Sequence, residues 1–212
     1  MKVYIYVLSA LLCASVAHAR PVSYPGGATL MTMNDAEKYS LHLHYSPSAK
    51  YSVGYKSEYW RDNEWWLNGV QVNYLVKRWN KRNSQANLYV KGIAGVAHSD
   101  HGRLENETDL AISAEVAADW ETRRWFTSYS ARAVEAGDID DFVMQSARVG
   151  VAPYIGDYGD LHTWLMLQVD HHPEAQHDVT VTPLVRFFYD VHLLEAGMNT
   201  RGDAMLNYVI RF

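Results

Sequence analysis

Cysteine is almost missing from this chain of 212 residues, which has only Cys13, so no internal disulfide framework can hold it together. Proline is sparse at 6 residues, and charged side chains make up only 20%. Long apolar runs are also lacking. Beyond the first twenty residues nothing approaches the roughly 18 consecutive apolar positions of a helical membrane span, which excludes a helical transporter. Basic excess is absent as well: Lys and Arg total 19 against 24 Asp and Glu, a net of −5. A cationic surface for nucleic acid is therefore not expected. What the chain does have is aromatic residues, with 15 Tyr and 7 Trp inside a 48% hydrophobic composition. That abundance, with many β-branched residues, argues against disorder.

The first segment reads as an export signal. Lys2 supplies a positive start, Val3 to Val16 a short apolar stretch, and Ala17-His18-Ala19 a small-x-small cleavage site before Arg20. Residues 1–19 are read as a Sec signal peptide. Cys13 falls inside it, and Leu12 stands where a lipobox needs a small residue, so lipidation is not expected and the mature chain has no thiol chemistry. Residues 20–27 form a short periplasmic lead-in, flexible in composition because Pro21 to Gly27 holds two prolines and two glycines. Residues 28–212 show no internal repeat and no second domain.

Hydrophobicity in the remainder has a period of two. Tyr39, Leu41, Leu43 and Tyr45 alternate with Ser40, His42, His44 and Ser46. Ile112 to Trp120 and Val179 to Phe187 behave the same way, so each segment has one greasy face and predicts a strand. A soluble sandwich would share this pattern with its greasy faces turned inward. Strand patterns of about 10 residues or more match what a tilted membrane-crossing strand requires.

The chain ends Tyr208-Val209-Ile210-Arg211-Phe212, with Tyr208, Ile210 and Phe212 on one face. This resembles the C-terminal assembly signal of Gram-negative outer-membrane β-barrels. The resemblance implies an all-β, antiparallel up-and-down transmembrane barrel in the outer membrane. It also implies contact with lipid and lipopolysaccharide, and recognition by the barrel-assembly machinery through the last strand. About twelve strands are predicted, with ten as the alternative, and the barrel is expected to be a monomer. With the C-terminus in the periplasm, the longest connection, His98 to Thr108, faces outward. The tight Thr122-Arg123 and Tyr189-Asp190 turns face inward, and so does a longer connection, Trp79 to Gln85.

A twelve-stranded barrel has a narrow lumen. Lys56, Lys91, Arg132, Arg148, Arg186 and Arg211 are expected to point into it, opposed by Glu115, Asp119, Glu121 and Asp170. Mixed signs fit either a narrow, weakly selective channel or a structural surface barrel whose interior charges pair. Outer-membrane channels for acidic sugar oligomers are of similar length, but their continuous basic lining is not evident here.

Histidine offers another reading: His98, His101, His171, His172 and His177 fall on two outward loops among carboxylates. Together these suit a divalent metal such as Zn, Cu or Ni, which would make the chain a metal-binding surface protein. Otherwise no cofactor is expected. A meeting of His42 and His44 with His162 inside the lumen is a further arrangement the strand faces allow. Lipid- or peptide-modifying barrels exist, but no G-x-S-x-G elbow or Ser-plus-His strand motif occurs, so no enzyme is expected. Trp60, Trp65, Trp66, Trp79, Trp120, Trp125, Tyr154 and Tyr189 are read as girdles at the lipid headgroups. The adjacent Trp65 and Trp66 could instead serve as a sugar-stacking pair.

Overall fold

A computed structural model describes residues 21–100 and 102–212, leaving the expected signal peptide and His101 outside the described residues. Twelve strands run in chain order: β1 (Ala28–Asn34), β2 (Lys38–Tyr45), β3 (Tyr51–Trp60), β4 (Trp65–Lys81), β5 (Ser84–Ser99), β6 (Thr108–Glu121), β7 (Trp125–Glu135), β8 (Asp141–Val151), β9 (His162–His171), β10 (Val179–Tyr189), β11 (His192–Met198) and β12 (Ala204–Arg211). Each pairs antiparallel with its neighbours, and β1 pairs with β12, so the sheet closes. The fold is a closed, antiparallel, up-and-down β-barrel. Closure gives every strand a neighbour on both sides, the condition a spanning sheet must meet in hydrocarbon.

Period-two patterning fixes which side chains enter the lumen. On β2, Leu41, Leu43 and Tyr45 lie exposed on the outer wall while Ser40, His42 and His44 are buried inside. On β9, Leu165, Leu167 and Val169 face out, and Trp164, Met166 and Gln168 face in. Tyr208, Ile210 and Phe212 share the outer face of the last strand. Backbone bonds between Phe212 and Ala28, of 2.9 and 3.2 Å, complete the β1–β12 seam.

The start of β1 and the end of β12 lie at one end of the barrel, called here the terminal end; the other is the far end. At the terminal end the expected Trp79 to Gln85 connection is instead strand. β4 continues to Lys81 and β5 starts at Ser84, leaving only Arg82 and Asn83 to turn. The polar sequence there hides the pairing because this part of the hairpin no longer needs a greasy face. A bulge between Leu75 and Lys77 shifts its register. The β6–β7 turn is closed by Thr122, whose hydroxyl accepts the Trp125 amide at 2.8 Å. The segment before β1 is tied to the terminal end rather than hanging free: Val22 packs on Leu75 and Tyr89. The Ser52 hydroxyl donates to the Pro21 carbonyl at 2.6 Å.

The far end corrects the girdle assignment. Trp66, Trp79, Trp120, Trp125, Tyr154 and Tyr189 are exposed, but Trp60 and Trp65 are buried inside the lumen. Trp60 lies an even number of residues from the inward Glu58, and Trp65 from the inward Leu67, so both must turn in. For the same reason Trp65 and Trp66 point to opposite sides and cannot form one stacking platform. The two inward indoles stack at 5.9 Å, Phe142 meets Trp60 edge-on at 4.7 Å, and Leu67, Ile93 and Val134 complete the cluster.

Candidate functional site: the lumen

Lys56, Lys91, Glu115, Asp119, Glu121, Arg132, Arg148, Asp170 and Arg186 all line one central cavity of about 320 Å³. Pro21 borders it toward the terminal end, and Asp35 and Lys38 toward the far end. Bonds tie many of these groups across the interior. Arg132 on β7 reaches Glu58 on β3 with two parallel hydrogen bonds of 2.9 and 2.6 Å, and its Nε donates to Ser113 at 2.7 Å. Lys56 sits 3.3 Å from the same carboxylate, while Lys91 pairs with Glu115 at 2.7 Å.

A second knot joins the five strands from β8 to β12. Glu195 accepts from Arg148 at 2.8 Å and from Arg186 at 2.7 Å, and Asn207 donates to its other oxygen at 2.8 Å. Arg148 also holds Gln168, which in turn donates to Asp170. Arg186 lies over the Phe126 ring at 4.9 Å, and Phe126 packs on Trp164. Glu58 and Glu195, the anchors of these knots, were missed by the sequence reading. Their signal was present: Glu58 is two residues from Lys56, so it must share the inward face.

Two of the described loop histidines have separate partners. His98, at the end of β5, is 2.9 Å from the Thr108 hydroxyl and 3.4 Å from Asp100. His172 is buried and turns inward, 3.2 Å from Glu37 on the β1–β2 connection and 4.6 Å from the Phe142 ring. His171 is the last residue of β9. Among the described residues no three His, Asp or Glu side chains converge as a metal cage. In the lumen, His42 and His44 lie ring to ring at 4.5 Å. His162 instead contacts Phe188, on the next strand.

Electrostatics at the far-end connection are distinctive. Burial by itself would raise the Glu37 carboxyl, but the His172 hydrogen bond and the charge of Lys38 overcome it and hold the carboxyl below its ordinary range.

No protein-family profile matches the chain, and no curated protein matches it. Among solved structures, the KdgM porin superposes with a TM-score of 0.51 at 8% identity, covering 88% of this chain and 98% of that one. LpxR from Salmonella typhimurium superposes with a TM-score of 0.45 at 8% identity, covering 88% and 99%. The likeness to the porin shows a shared fold. The expectation of no enzyme is corrected here, because the lack of a G-x-S-x-G elbow does not exclude catalysis. At 8% identity no activity carries across to this chain.

Proposed function

We propose that the protein resides in the outer membrane, with its terminal end in the periplasm, as a constricted and weakly selective channel for small ions. The observation that carries this reading is the cavity. Its lining extends from Pro21 near one end to Asp35 and Lys38 near the other, yet it holds only about 320 Å³ and is crossed by the Glu58–Arg132 and Arg148–Glu195 bridges. Lining charges of both signs leave no continuous basic or acidic track, so strong anion or cation selection is not supported. The porin activity named for KdgM agrees with this direction, but a wide pore for organic solutes does not fit the crossed lumen.

Planar-bilayer recording of the refolded protein tests the reading. Small discrete steps are expected, becoming larger when Glu58→Ser and Arg132→Ser are combined. Silence from both proteins at high load would overturn the channel. It would instead favour a structural surface barrel, the reading supported by the Trp60, Trp65 and Phe142 cluster at the far end.

The proposed surroundings follow from the outer wall. Its exposed Trp and Tyr side chains suit the headgroup level of a bilayer, including lipopolysaccharide on the outer side. The outward face of Tyr208, Ile210 and Phe212 is the surface offered to the assembly machinery.

A further inference from the structure

We propose that the lumen wall made by β1 and β2 binds a soft monovalent metal ion, Cu(I), through Met31, Met33, His42 and His44. The alternation that turns Thr29 inward on β1 also turns Met31 and Met33 inward, and both line the central cavity. Pairing of β1 with β2 places Met31 directly beside His42 and Thr29 beside His44. A Met-x-Met and a His-x-His segment therefore face the lumen as one patch.

The imidazoles point to a ligand. His42 and His44 are 4% and 1% exposed, yet His42 Nε2 and both ring nitrogens of His44 make no hydrogen bond among the described residues. Nor does the neighbouring Thr29 hydroxyl. Buried polar atoms left in this state are costly, and coordination offsets the cost. Gly54 is part of the arrangement: on β3 it pairs with His44 of β2, and an added Cβ would run into the Leu43 carbonyl and His44.

Ligand chemistry chooses the ion. Zn(II) favours thiolates, imidazoles and carboxylates, and among the described residues no cage of that composition forms. Thioether and imidazole together are soft, neutral donors that suit Cu(I). Lys56 stands opposite His42 on β3, paired with Glu58, and a cationic neighbour opposes a divalent ion more than a monovalent one. Met144 and Met205 line a smaller void at the far end with Asp35, Glu37, Lys38, Asp170 and Asp203.

Anaerobic competition against the Cu(I)–bicinchoninate complex tests the site with the full chain refolded in detergent micelles, so the result does not depend on conductance. The wild-type barrel is expected to withdraw one Cu(I). The paired variants Met31→Leu/Met33→Leu and His42→Asn/His44→Asn should each weaken binding by at least about ten-fold, while His98→Asn/His171→Asn leaves it unchanged. X-ray absorption of the loaded protein should show sulfur scatterers. No withdrawal by the wild type, equal withdrawal by the Met-to-Leu pair, or a copper shell without sulfur would each overturn the proposal. If the histidine pair fails to assemble, the leucine pair decides, because that exchange keeps volume and apolarity.

Discussion

Glu58 and Arg132 meet across the barrel, four strands apart around the wall, with both carboxylate oxygens taken by one guanidinium at 2.9 and 2.6 Å. The Glu58 side chain is fully buried. Such a pair resists one-sided change, since removing one partner strands a charge away from water. Arg132→Ala is expected to destabilise the barrel by about 3–5 kcal/mol, and the joint replacement Glu58→Gln/Arg132→Gln by clearly less. Urea unfolding in lipid vesicles, followed by heat-modifiable migration on gels, measures both.

Adjacent tryptophans should respond oppositely. Trp65 is fully buried and its indole N–H donates to Asp140 at 2.9 Å, whereas Trp66 is 39% exposed on the outer wall. Trp65→Ala is expected to cost about 3–5 kcal/mol. Trp66→Ala should cost less than about 1.5 kcal/mol, chiefly through its contact with Tyr59. The same unfolding assay distinguishes them, and equal losses would contradict the assigned faces.

Acid should loosen the far-end loops. Glu37 has a carboxyl depressed on folding, so its contribution is complete above the ordinary value of 4.5 and is lost as pH falls through the folded value. Amide exchange in residues 172–178 is expected to quicken below that range in the wild type. Glu37→Gln should show quick exchange at neutral pH and little further change in acid.

Val22 anchors the segment that precedes β1, wedged against Leu75 and Tyr89. Val22→Asp is expected to release it, seen as faster exchange at the Ser23 and Gly26 amides, which now bond Ser46. The β-barrel signature in circular dichroism should stay unchanged, because the strands do not depend on this contact.

Deleting Phe212 removes the backbone groups that bond Ala28 at the seam, together with the last aromatic of the outer face. Slower assembly in cells is expected, with more unfolded protein on unheated gels. Refolding into detergent without assembly factors should suffer less.

Strand faces were legible from the sequence because a period of two leaves little choice once one inward residue is known. Lys91, Glu115 and Arg186 could be assigned to the lumen from alternation alone. The ends of β4 and β5 were not legible, since their polar tips carry no greasy face to count. Trp60 and Trp65 misled for another reason: aromatic rings near strand ends serve equally at headgroups and inside a mouth, and only the parity of each strand distinguishes the two.

By itself, the sequence determined where most strands run and which residues, charges of both signs among them, share the polar face, because alternation is a local property of the chain. Only the tertiary structure decided which charges meet. Glu58 and Arg132 are distant in sequence and neighbours only after the sheet closes, and Met31 faces His42 only through the register of β1 on β2. Curvature and register are collective properties of the closed sheet, so no single segment encodes them.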